Sequence, residues 1–131
     1  MECAALTGIS PSIIESLKGG RPRTLELQSA HNIITLRNVE PGSVLFLTSV
    51  DLEDLSEGDA GIVVNVLAIT ISMKRLIGFI SPPTVVEERE RTSARIQVRY
   101  TCNSFVKNVM SKGLGNPTVI EVIKSSCYRA G

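Results

Sequence analysis

Between Ala94 and Cys102 the side chains alternate without a break, with Ile96, Val98 and Tyr100 on one side and Arg95, Gln97 and Arg99 on the other. Successive residues of a strand point to opposite faces. The run therefore predicts a strand with one face on a core and two arginines on the other. Shorter apolar or alternating runs recur at Ala4 to Leu6, Thr24 to Gln28, Ile33 to Leu36, Val44 to Thr48, Gly61 to Ile71, Ile77 to Ile80 and Thr118 to Ile123. Val44 to Thr48 is β-branched and aromatic, Gly61 to Ile71 is the longest run, and turn formers such as Glu40-Pro41-Gly42, Ser81-Pro82-Pro83 and Gly113 to Pro117 separate the segments.

Two segments read as helices instead. Ser10 precedes Pro11, whose fixed φ suits a first helical position; Ile13, Ile14 and Leu17 then follow at helical spacing up to Gly19-Gly20. Asn103 stands where it can cap a second helix, with Val106, Val109 and Met110 on one face. The 131 residues, 43% hydrophobic and 21% charged, suit one domain over residues 1–131 that buries a core. The expected architecture is mainly β with short helices (α+β), closing into a partly closed barrel.

Fourteen Lys and Arg against thirteen Asp and Glu leave a net charge of +1, so any polyanion site must be a local patch. Cys3, Cys102 and Cys127 lack the paired spacing of a zinc or redox motif, and are expected as reduced thiols in a cytoplasmic protein. The start of the chain has no basic segment leading into an apolar stretch, so no secretory signal is expected. The uncharged stretch Ala60 to Met73 is shorter than the roughly 20 residues of a membrane helix, and no membrane partner is expected. Asp51, Glu53, Asp54, Glu57 and Asp59 miss the spacing of a calcium loop; a solvated acidic loop pinned by Leu52 and Leu55 is expected, with no metal. His31 falls in a polar break between strand runs with no local nucleophile or acid to make it catalytic. The glycines at 113 and 115 follow a helical segment and do not form a phosphate loop. Glu87 to Arg91 mixes signs, as a solvated strand edge or helical turn does.

Two basic groups carry more meaning. Lys18, Arg21 and Arg23 cluster where the first helix gives way to a strand, and Arg95 and Arg99 share a strand face with Arg89, Arg91, Lys107 and Lys112 near them in sequence. Arginine is the side chain suited to bidentate phosphate contact. Aromatic residues are few, which argues against a broad stacking platform for single-stranded bases.

The segments Gly20-Arg21-Pro22-Arg23-Thr24-Leu25-Glu26-Leu27 and Val39-Glu40-Pro41-Gly42-Ser43-Val44-Leu45-Phe46 resemble the PUA-like and ASCH superfamily, in which a basic residue, Thr and Glu on an early strand precede a glycine turn and an apolar strand. Over the whole length, including Glu87 to Tyr100 and the Gly-Asn-Pro-Thr near the end, the chain also resembles a family of uncharacterised archaeal proteins known as a domain of unknown function. The first resemblance implies a small β-barrel that binds RNA or a modified nucleoside beside the early strand. Some ASCH-type proteins resemble amidohydrolases of modified nucleosides using Lys, Thr and Glu; here Thr24 matches the Thr, Arg23 stands at the Lys position and Ser43 where an acid is common. An always-charged guanidinium suits anion binding and not base chemistry.

The expected function is binding of RNA or a nucleotide, with Arg21, Arg23, Arg95 and Arg99 on phosphate and Thr24, Glu26 and His31 offering polar groups to a base. Two alternatives stay open, an assembly module without a ligand and a hydrolase of modified nucleosides using Thr24 and Glu26. No catalytic residue or cofactor is assigned, and the oligomeric state is open.

Overall fold

In a computed structural model the backbone is described for residues 1–80 and 85–124, and side chains for residues 1–72 and 92–123. Strand β1 (Glu2–Leu6) leads into helix α1 (Pro11–Leu17), β2 (Arg23–Leu27), helix α2 (Ala30–Leu36) and β3 (Val44–Leu47). A short 3-10 turn (Leu52–Asp54) precedes two long strands, β4 (Ala60–Ile80) and β5 (Val85–Ser111), and β6 (Val119–Lys124) follows. The sheet has the order β2-β5-β4-β3-β1-β6, and β5 also pairs with β6. That extra pairing bends β5, β4, β3, β1 and β6 into a partly closed ring. The expectation of a mainly β fold with short helices holds in this form.

One pairing sets the layering. β1 and β3 run parallel, with Ala5 opposite Phe46, while the other neighbours are antiparallel. Parallel neighbours need a long crossover, and here it consists of α1, β2 and α2. Both helices are thereby laid on one face of the sheet. Ile14, Leu17, Ile33 and Leu36 pack there against Leu45, Leu47, Ile62, Val64, Ile96 and Val98. The opposite face of the ring strands encloses a second cluster of Cys3, Ala5, Phe46, Val63, Cys102, Val106, Ile120 and Val122, with Leu55 of the acidic loop inserted into it.

Bulges make the ring possible. The β4–β5 register skips Thr101 and then Leu67, and the β5–β6 register skips Lys107 and Met110. Each extra residue bends its strand and sharpens its twist, so that β5 meets β2 and β4 along its first part and β4 and β6 along its last. Gly61 lies just past the end of the β3–β4 pairing, which runs to Leu47 opposite Ile62. A Cβ there would collide with the Leu47 carbonyl and the Phe46 ring, whose Cε1 would be 2.8 Å away.

Three local expectations are corrected. Residues 33–36 lie in α2 and not in a strand. Ile33 and Leu36, three apart, both face the core, and the Asn32 side chain satisfies the Thr7 backbone by accepting from its N–H (3.0 Å) and donating to its carbonyl (2.9 Å). Asn103 does not start a helix, because residues 103–111 continue β5. The bulge at Lys107 puts Val106 and Val109 three apart on the same interior face, which imitates helical spacing within a strand. Cys102 is disulfide-bonded, so the expectation of three reduced thiols fails.

Beyond the end of β2, strands β4 and β5 continue as a two-stranded ribbon, from Ser72 opposite Ser93 to Ile80 opposite Val85. Ile77 to Ile80 thus extends β4 instead of forming a separate strand, and Glu87 to Arg91 lies in the returning strand. The expected turn at Ser81-Pro82-Pro83 lies outside the described residues.

Candidate functional site

β2 brings most of the sequence-predicted residues together. It runs antiparallel along β5, with Glu26 opposite Arg95 and Thr24 opposite Gln97. On the other flank of β5, Asn65, Ala68 and Thr70 of β4 stand opposite Arg99, Gln97 and Arg95. Residues directly opposite in an antiparallel pair share a face. The result is an open three-stranded surface with Glu26, Arg95 and Thr70 in one row, Thr24, Gln97 and Ala68 in the next, and Arg99 beside Asn65, all exposed. Alternation keeps Leu25, Leu27, Ile96 and Val98 on the core side.

The two arginines differ. Arg95 Nη2 lies 3.9 Å from Glu26 Oε2, with both side chains at least half exposed (68% and 50%). An exposed pair at that distance contributes about 0–1 kcal/mol, so the guanidinium is easily redirected. Arg99 makes no hydrogen bond or ion pair with any described residue. About 13 Å separates the two along the strand at ~3.3 Å per residue.

The remaining predicted residues lie elsewhere. Arg23 shares the parity of Leu25, and its Nη1 donates to Ser16 Oγ of α1 on the helix-covered side. Arg21 is exposed in the loop before β2. His31 is half-buried in the first turn of α2, where its carbonyl accepts from Thr35 Oγ1 (3.0 Å). Since α2 packs on the core side of the sheet, His31 is across the sheet from Arg95 and Arg99. Lys107 pairs with Glu121 at 3.0 Å, and Lys112 donates to the Leu52, Glu53 and Leu55 carbonyls at 3.0–3.3 Å. The acidic loop is therefore held by Lys112 above and by the buried Leu55 below, as the two-leucine reading anticipated in part. The Arg89 and Arg91 side chains lie outside the described residues.

Sequence reasoning missed Asn65 and Thr70, since nothing in β4 alone says which of its residues will stand beside β5. It also missed a groove of about 280 Å³ between α1 and the outer wall of the ring, lined by Ile14, Glu15, Lys18, Ile62, Asn103 and Phe105 among others. Among the described residues no helix is long and apolar enough to cross a membrane.

A mainly β chain with a partly closed ring, helices on one face and a polar, arginine-bearing strand face on the other is the class this structure defines. The family described as "Protein of unknown function (DUF473)" matches residues 1–120, and the chain belongs to it. An uncharacterized protein of Methanocaldococcus jannaschii is 29% identical over 98 residues, 75% of this chain and 60% of that protein, so the chain spans about three fifths of its relative's length. The archaeal-family resemblance seen in the sequence is thereby established, whereas the PUA-like and ASCH likeness is not part of that match. Among solved structures the N-terminal domain of the Mycobacterium avium complex Lon protease superposes with a TM-score of 0.50 at 17% identity, over 100% of this chain and 58% of that one, a likeness of fold.

Proposed function

We propose that this protein binds RNA through the open face of β2, β5 and β4, with Arg95 and Arg99 on phosphates and Thr24, Gln97 and Asn65 donating and accepting hydrogen bonds around them. The observation that carries the reading is Arg99, an exposed guanidinium with no partner among the described residues, set on an open polar surface beside a second arginine held only by a weak pair. A separation of about 13 Å along the strand suits two phosphates of an extended chain better than one phosphate held by both, which favours a polynucleotide over a free nucleotide. Among the described residues the face carries no aromatic ring, so contacts run to the backbone and binding is tolerant of sequence and sensitive to salt. Catalysis by Thr24 and Glu26 is less well supported, because both side chains stand on an open strand face where water is not excluded.

With no Trp and two Tyr the protein absorbs weakly at 280 nm, so retained nucleic acid dominates its spectrum. Purified gently at low salt, the wild type is expected to show a raised 260/280 nm absorbance ratio that falls after a high-salt wash, and the Arg95→Ala/Arg99→Ala variant a protein-like ratio throughout. A protein-like ratio for the wild type, or a raised ratio unaffected by the substitutions, would count against the proposal.

A further inference from the structure

The groove between α1 and the ring has a chemistry of its own. Its helix wall presents Ile14 and, one and four residues on, Glu15 and Lys18, whose Oε1 and Nζ are 3.0 Å apart. The facing wall presents Ile62, Asn103 and Phe105, and the Asn103 amide oxygen accepts from Tyr100 Oη at 3.0 Å, which fixes the side chain. Ile14 and Ile62 are buried beneath the groove, while Phe105 stays 40% exposed along it, an aromatic surface left open to water. At about 280 Å³ the groove is just below the range of drug-sized pockets, a volume suited to a small metabolite.

The charge pattern selects the ligand class. A ligand with a lone carboxylate would take Lys18 and strand Glu15; a lone amine would do the reverse. A molecule carrying both charges exchanges one ion pair for two. The Lys18–Glu15 pair is solvent-exposed, with side chains 35% and 72% accessible, so opening it costs little. We infer that this groove binds a small zwitterion with an apolar body, of the class of an α-amino acid with an aliphatic or aromatic side chain. The carboxylate meets Lys18, the ammonium meets Glu15, and the side chain lies along Ile14, Ile62 and Phe105. The site is independent of the RNA proposal, since Ile14 and Ile62 belong to the helix-covered face of the sheet and Arg95 and Arg99 to the other.

Amide chemical-shift titration of the full chain tests it, with L-leucine and L-phenylalanine as zwitterions and phenethylamine and 3-phenylpropionate as single-charge controls. Saturable shifts at residues 60–62 and 103–105 and along α1 are expected with the amino acids, and binding at least about five-fold weaker with either control, which is about 1 kcal/mol. Lys18→Ala and Glu15→Ala should each weaken the amino acids by a similar factor, and the same spectra show that these surface variants remain folded. Arg95→Ala/Arg99→Ala should leave the titration unchanged, which separates failure here from failure of RNA binding. The inference is overturned by the absence of saturable shifts at about 10 mM ligand, by controls that bind as well as the amino acids, or by binding indifferent to both substitutions.

Discussion

Asn32 shows how a polar residue in the core can belong entirely to structure. It is 3% exposed, and its amide takes both the N–H and the carbonyl of Thr7, ending β1 against α2 as a neighbouring strand would. Thr35 plays a similar part, accepting from the Thr118 N–H at 2.9 Å and so tying α2 to the entry of β6. Removing Asn32 leaves two buried backbone groups unsatisfied. Asn32→Ala is therefore expected to destabilise the protein by about 2–4 kcal/mol, read as a lower urea midpoint with an unchanged slope. Gly61 is constrained by space rather than by φ, because a methyl group there meets the Phe46 ring and the Leu47 carbonyl just past the end of the β3–β4 pairing. Gly61→Ala should cost about 1–3 kcal/mol or more by overpacking, whereas Gly58→Ala, with open space around it, would act only through its positive φ of 92°. Equal effects of the two in thermal melts would contradict the packing account.

At the level of elements, the alternation of Ala94 to Cys102 was enough to identify the strand and both of its faces, and Arg95 and Arg99 did come to stand with Thr24 and Glu26. Helix α1 was equally legible, because Pro11 and the Ile14, Leu17 spacing act locally. What sequence could not reveal was pairing. The bulge at Lys107 disguised a strand as a helix, and α2 was disguised as a strand because Ile33-Ile34-Thr35 is β-branched, its helical form depending on contacts of Asn32 and Thr35 with β1 and with the residue before β6. Arg23 was assigned to the site through the strand-borne Arg-Thr-x-Glu match and His31 as a polar group for a base, and the parity of β2 and the packing of α2 sent them to the other side. The β4–β5 ribbon extends past the end of β2 as backbone pairing of two strands. A two-stranded ribbon is marginal alone. Deleting residues 74–91 and joining Met73 to Thr92, which are already opposite one another, through Asn-Gly should leave the stability of the body within about 1 kcal/mol. Loss of cooperative unfolding in that variant would show that the ribbon is part of the core.

For the molecule as a whole, one sheet is used twice. Its helix-covered face and the interior of its ring are both apolar, and each holds part of the core; where β2 extends the sheet past the ring, the face continuous with the ring interior opens to solvent and turns polar. Asn65 marks the change, lying between Val44, packed against the ring interior, and the exposed Arg99. An apolar body lies beneath the polar face, and the arginines stand on strands and not on loops. On the proposed reading such a face would gain affinity from phosphate contacts and their counterions, so the signature to look for is the dependence of binding on salt. The decisive measurement is the affinity for a labelled single-stranded oligouridylate across a salt series. Two phosphate contacts predict a slope of log K against log salt near −1.4, falling to about −0.7 in Arg99→Ala and toward zero in Arg95→Ala/Arg99→Ala. A slope and affinity unchanged in the double variant, or no binding by the wild type at low salt, would contradict the account.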